Sequence, residues 1–237
     1  MTKKMLVIMF ILILTLAACR NKEVYISKKD VYYVIGDSIT WQDGHVYGGT
    51  NDVAVGYPTL VGESLGFKSV INKGIAGASI AKNKNYPSNG SILLDNDFSD
   101  VKNADLVTIL VGTNDFKLDV PLGKINNDEE RFFYGSYNKL IYLLKKINPK
   151  VEIVLVTPLH RDNSNYKSDT INDAGFQLSD YQQAIINIAK KFNLKVIDLY
   201  RNSIIQEETL YKYTIDGLHP NNDGYEKISK EMVKFLK

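Results

Sequence analysis

Val31-Tyr32-Tyr33-Val34-Ile35-Gly36-Asp37-Ser38-Ile39-Thr40 is the stretch on which the reading of the fold turns. Its first five residues are apolar on both alternations, the pattern of a strand covered on both faces and therefore of a parallel sheet. The run stops at Gly-Asp-Ser, which is turn and N-cap chemistry, so a strand here ends in a turn that enters a helix. Similar runs recur at Ser69 to Asn72, Leu106 to Val111, Val151 to Val156 and Lys195 to Leu199. Between them Phe133, Tyr137, Leu140, Ile141, Leu144 and Ile147 keep helical spacing until Asn148-Pro149 stops it. Leu178, Tyr181, Ile185, Ile188, Ala189 and Phe192 form a second stripe, and Tyr225, Ile228, Met232, Phe235 and Leu236 a third. Strands alternating with helices predict a parallel sheet of about five strands between two helix layers, in one domain. The long connections Ala81 to Asn89, Asp115 to Asp128 and Arg161 to Gly175 follow or flank strand ends, where ligands of open α/β sheets bind.

The composition narrows the function classes. Across 237 residues, 29 Lys and Arg stand against 27 Asp and Glu, so the charge balance gives no broad basic surface for a nucleic acid partner. A single Cys makes no internal disulfide, and His45, His160 and His219 have no metal-site spacing; no metal or cofactor is expected.

The N-terminus reads separately from the domain. Lys3-Lys4, the apolar run Met5 to Leu14 and the small residues before Cys19 make a secretory signal over residues 1–18. Leu16-Ala17-Ala18-Cys19 resembles the lipobox of bacterial lipoproteins, which implies a lipid on Cys19, a polar tether over 19–29 and a domain over 30–237. The expected location is the outer face of the cytoplasmic membrane, or the outer membrane in a two-membrane cell. Removing residues 1–18 takes away two lysines and no acid, which leaves the mature chain neutral.

Four segments carry chemistry. Ser38 ends the first strand with its hydroxyl placed as a nucleophile. Asp216-Gly217-Leu218-His219-Pro220 supplies a base, since imidazole titrates near neutral pH, and a carboxylate three residues earlier that can reach its other ring nitrogen. Asn72-Lys73-Gly74-Ile75-Ala76-Gly77 follows the second strand and Gly112-Thr113-Asn114-Asp115 the third. The Ser38 and Gly74 backbone amides with the Asn114 side chain would give three donors to an oxyanion.

These four blocks, in this order from Gly36 to Pro220, resemble the SGNH hydrolases, also called GDSL esterases or lipases. The resemblance implies a flavodoxin-like three-layer α/β/α sandwich, with Ser38 as nucleophile, His219 as base, Asp216 as its orienter, and Ser38, Gly74 and Asn114 as oxyanion donors. Ile39 stands where the family's first block often has Leu. Trp41, His160 and Arg161 are candidate substrate contacts, while Asp37 and Asp115 read as structural turn-end groups. The expected reaction is hydrolysis of a carboxylic ester through an acyl-enzyme. Polar loops and the absence of an apolar lid segment favour a small acyl group, acetyl above all, on a carbohydrate. A lysophospholipase or thioesterase is the alternative, and a non-catalytic glycan- or solute-binding lipoprotein is the alternative from another class.

Overall fold

The computed structural model describes residues 29–48, 50–83 and 89–237. The sheet strands are β1 (Val31–Gly36), β2 (Ser69–Gly74), β3 (Leu106–Leu110), β4 (Glu152–Val156) and β7 (Lys195–Ile197), ordered β2-β1-β3-β4-β7. All neighbours are parallel, with Gly36 opposite both Gly74 and Leu110, so the carboxyl ends of three strands finish level. A short antiparallel hairpin, β5 (Asp162–Asn163) and β6 (Tyr166–Lys167), follows β4.

The apolar runs become buried strands because each face has its own helix layer. Tyr33, Ile35, Val107, Ile109, Ile153 and Leu155 pack with the helices Phe133–Ile147 and Leu178–Phe192. Tyr32, Val34, Leu106, Val154 and Val156 face the opposite layer, the helices Tyr57–Leu65 and Asn222–Leu236. The two buried tyrosines of β1 keep their hydroxyls satisfied: Tyr32 Oη lies 2.7 Å from Thr108 Oγ1, and Tyr33 Oη donates to Asp100 Oδ1 at 2.7 Å. The architecture is a three-layer α/β/α sandwich, as the strand and helix patterns predict.

The helix ends follow local chemistry. Asn148 stops the helix Phe133–Ile147, and its amide donates to the Val101 and Ala104 carbonyls at 3.0 and 2.9 Å. Asn193 closes the helix Leu178–Phe192 in the left-handed region, with φ 51°. The side chain of Asn221 caps the final helix by accepting from the Gly224 amide at 2.9 Å.

The structure departs from the sequence reading at element ends. β2 runs two residues past Asn72, because its register with β1 continues to Gly74. β7 stops at Ile197, since Asp198 caps a helical turn, Leu199–Asn202, by accepting from the Arg201 amide. The connection starting at Asp115 begins inside a helical turn, Thr113–Lys117. The signal segment, the lipobox and Cys19 lie outside the described residues. Among the described residues, no helix is long and apolar enough to cross a membrane.

Candidate active site

Three strand ends and one C-terminal loop build the site. At the end of β1 the chain turns into the helical turn Ser38–Trp41, for which Asp37 is the N-cap; its Oδ1 accepts the Ile39 amide at 3.0 Å. Asp37 is buried, and burial pushes its carboxyl up to about 6, against the opposing pull of the Ile39 amide, His219 and Arg161.

The loop before the last helix holds the acid and the base in one turn. Asp216 Oδ1 accepts the Leu218 and His219 amides at 3.1 and 2.8 Å, which fixes the carboxylate. Its Oδ2 then lies 2.8 Å from His219 Nδ1, and His219 Nε2 lies 2.9 Å from Ser38 Oγ. With the proton on Nδ1 donated to Asp216, Nε2 is the free acceptor for the serine hydroxyl. Partial burial tends to raise the Asp216 carboxyl, but the hydrogen bonds and charge of His219 outweigh it and hold the group below its ordinary value.

Of the expected oxyanion donors, Gly74 requires a correction. Its amide donates to Asn72 Oδ1 at 2.9 Å, and the Asn72 amide in turn donates to the Thr40 carbonyl at 2.8 Å. A Cβ at Gly74 would lie 2.3 Å from Trp41 N and 2.8 Å from the Thr40 carbonyl carbon. Gly74 is therefore the close-approach point where β2 passes the Ser38–Trp41 turn, and its N–H is already used. Gly77, three residues on, has φ 74°, and a Cβ there would meet only the Asn89 side chain, in ordinary contact at 3.9 Å. The next carbonyl, that of Ala78, accepts the Asn114 amide at 3.0 Å, so Gly77 is the glycine beside Asn114. Sequence reasoning missed Asn72, although a side-chain amide two residues before a glycine at a strand end is a visible turn signal.

Asp115 secures the same loop from below. It is fully buried and accepts the Ile80 amide through both oxygens, at 2.9 and 3.1 Å. Burial pushes its carboxyl up to about 8, opposed by the Ile80 amide and reinforced by the charge of Asp37. The structural reading of both aspartates agrees with these contacts.

The three candidate substrate contacts separate. Arg161 is 1% exposed. Its Nη1 donates to Thr113 O and Oγ1, both at 2.9 Å, its Nη2 to Asn163 O at 3.2 Å and its Nε to Tyr166 O at 3.3 Å. The guanidinium thus ties the Asn114 segment to the β5–β6 hairpin, and that hairpin braces the acid–base loop: the Asp162 amide donates to Gly217 O at 2.8 Å and the Asn163 amide to Asp216 O at 3.0 Å. Arg161 is a positioning residue, which corrects its reading as a substrate contact. His160 is buried and stacks on Tyr200, with ring centroids 4.1 Å apart, and its Nδ1 lies 3.8 Å from Glu207 Oε1. Burial holds it below the usual histidine value, against the charge of Glu207. Trp41 is half-buried at the end of the nucleophile's own turn, and its ring stacks on His45 at 3.9 Å and 22°. Among the described residues, no group of three or more His, Cys, Asp or Glu side chains forms a metal-binding cluster.

A strand-end serine bonded to an imidazole that a carboxylate orients, on a three-layer α/β/α sandwich, defines a hydrolase scaffold of acyl-transfer type. Residues 34–227 match the model of the GDSL-like lipase/acylhydrolase family, and the chain belongs to that family. It is a GDSL-type esterase/acylhydrolase. One solved structure is 30% identical with a TM-score of 0.76, covering 88% of this chain and 96% of its own. An acetyl xylan esterase, AlAXEase, is 26% identical with a TM-score of 0.60, covering 87% of this chain and 100% of its own. A multidomain esterase of Ruminococcus flavefaciens is 29% identical over 127 residues, which span 53% of this chain and 15% of that protein.

Proposed function

We propose that the chain is a serine esterase that removes acetyl groups from carbohydrate at the cell surface, held there by a lipid on Cys19. The observation that carries the chemistry is the hydrogen-bonded series Ser38 Oγ, His219 Nε2, His219 Nδ1, Asp216 Oδ2, at 2.9 and 2.8 Å. Ser38 Oγ attacks the ester carbonyl while its proton passes to His219 Nε2. The C–O bond to the alcohol breaks as the imidazolium returns that proton to the leaving oxygen, giving an acyl-Ser38. Water then attacks the acyl-enzyme with His219 as base, releasing acid and restoring the serine.

The developing oxyanion needs donors in place before attack. One hydrogen of the Asn114 amide is committed to Ala78 O, and the other is directed to substrate; the Ser38 and Gly77 amides complete the set, with Gly77 replacing Gly74. Preference for acetyl on sugar is supported by the similarity to AlAXEase and by the Trp41–His45 stack, a flat aromatic surface three residues past the nucleophile.

Labelling with a fluorophosphonate tests the mechanism: the native chain should form an adduct on Ser38, and Ser38→Ala should form none and lose ester hydrolysis while melting normally. Rates on an aryl acetate, an aryl octanoate and an acetylated xylooligosaccharide test the substrate. Higher kcat/KM on the octanoate overturns the acetyl assignment and leaves the serine mechanism intact.

A further inference from the structure

The end of the sheet opposite Ser38 has a chemical character of its own. Because every strand of the five-stranded sheet is parallel, all five amino ends share one edge, with Val31 opposite Ser69, Leu106 opposite Glu152 and Val154 opposite Lys195. An exposed lysine stands just before each of these strands: Lys29 before β1, Lys68 before β2, Lys102 before β3, Lys150 before β4 and Lys191 before β7. Lys237, at the end of the last helix, is exposed as well. Lysines in the last turn of a helix complement its dipole, but Lys29, Lys68 and Lys150 lie outside any helix, so helix capping does not explain the pattern.

Two acids at this edge, Asp105 and Asp30, are engaged by their surroundings, while Glu152 opens β4 and Glu63 is exposed near the end of the helix Tyr57–Leu65. Asp105 Oδ2 accepts the Asp30 and Val31 amides at 2.9 and 3.0 Å, and Asp30 pairs with Lys68 at 2.5 Å. Around the Ser38 end Glu207, Glu208, Asp169 and Asp216 are exposed, beside exposed Lys212 and Lys167, the latter paired with Asp162. β1 has six residues, so roughly 20 Å separates the lysine edge from the nucleophile. The near-neutral total hides a lysine-rich edge.

We propose that this lysine edge docks the domain on an anionic phospholipid surface, with the Ser38 mouth facing away from the lipid. The chain enters β1 at Lys29, on this same edge, so the segment preceding the domain leaves from the face that meets the membrane. Lysines on a flat edge gain from the negative surface potential of anionic lipids, and they do so additively and in a salt-dependent way. The proposal requires neither the lipid on Cys19 nor any particular ester substrate.

The test is amine footprinting of the full chain, using an acetylating reagent and mass spectrometry. One arm uses vesicles of phosphatidylcholine with about one third phosphatidylglycerol, and the other phosphatidylcholine alone. On the anionic vesicles Lys29, Lys68, Lys102, Lys150, Lys191 and Lys237 should be protected at least about threefold relative to the zwitterionic ones, and about 0.5 M salt should abolish the difference. Lys82 and Lys212 should react equally in both. Attachment through the N-terminal segment alone gives the same footprint on both vesicles and overturns the proposal. Equal protection of the six lysines by soluble polyphosphate also overturns it, because the edge is then a general polyanion site. Replacing Lys29, Lys68, Lys150 and Lys191 by Gln should erase the difference and leave aryl acetate hydrolysis in solution unchanged; persistence of the protection pattern in that variant counts against the assignment.

Discussion

Both carboxyl oxygens of Asp115 lie within hydrogen-bond reach of the Ile80 amide, at 2.9 and 3.1 Å. This contact joins the turn bearing Asn114 to the loop whose Ala78 carbonyl aims the Asn114 amide. Asp115→Ala leaves the Ile80 N–H buried without its acceptor, a loss of about 1–3 kcal/mol of stability. It should also lower kcat on an aryl acetate by about tenfold or more, because Asn114 loses its support. Asp115→Asn keeps an acceptor oxygen and should recover most of both; equal damage by Asn and Ala would refute the positioning role.

The same residue sets a pH dependence of stability. The Asp115 carboxyl is pushed up to about 8 and that of Asp37 to about 6, against an ordinary 3.8. Between the unfolded and folded values the native chain binds more protons than the unfolded one, so these two groups favour folding fully in acid and lose that contribution as pH rises from about 4 to 8. Asp216, held below its ordinary value, acts in the other direction and only on stronger acidification. Denaturant midpoints should fall between about pH 5 and 8 in the native chain, with a shallower slope in Asp115→Asn. A midpoint that climbs over this range would contradict the assignment.

Asp216→Asn probes the orientation of the base. The backbone contacts of Leu218 and His219 can be kept, but the carboxylate that fixes the His219 Nδ1 proton is gone. The expected result is a fall in kcat of about 10²–10⁴ with KM little changed. An unchanged kcat would remove Asp216 from the mechanism.

Asn72 and Gly74 act as a clasp between β2 and the nucleophile turn. Asn72→Ala removes a donor to the Thr40 carbonyl and an acceptor for the Gly74 amide, so a stability loss of about 1–2 kcal/mol and a reduced kcat are expected. Gly74→Ala forces a methyl into the Trp41 and Thr40 backbone and should cost about 1–3 kcal/mol. A Gly74→Ala protein with native melting would show that β2 can move away from the turn.

Arg161 is bonded through a planar fork to four acceptors on two segments. Lysine cannot reproduce that fork, so Arg161→Lys should be almost as damaging as Arg161→Ala, with a loss on the order of 3–5 kcal/mol for the alanine variant. At temperatures where the variants remain folded, kcat should fall more than KM rises. A pure KM effect would restore Arg161 as a substrate contact.

The parts of this molecule that were legible in the sequence are those whose meaning is local. Gly36 to Ser38 and Asp216 to His219 each carry their chemistry within a few contiguous residues at a strand or helix boundary, and the structure brings Ser38, His219 and Asp216 together. The parallel sheet was legible because apolar runs on both alternations admit few other placements. Gly74 and Gly77 could not be separated by sequence, since the difference depends on how far β2 pairs with β1 and on Asn72 folding back onto the strand end. Arg161 reads as a substrate contact because a cation after a strand end stands where ligands bind; here a hairpin of two-residue strands, too short to leave a period, supplies carbonyls that enclose it. The helix Tyr57–Leu65 also escaped, its interior Gly62 standing where an apolar stripe would otherwise be read.

Ser38 and His219 are 181 residues apart in the chain, and their 2.9 Å contact forms only after the whole sheet is in place. A chain folded only as far as its last strand therefore has a serine without its base until the loop bearing Asp216 and His219 is in place. Loss of the loop from Asp216 to His219 alone would silence the enzyme while leaving the residues of all five sheet strands in the chain. Competence for ester cleavage is in this sense a report that the chain is folded from Gly36 through His219.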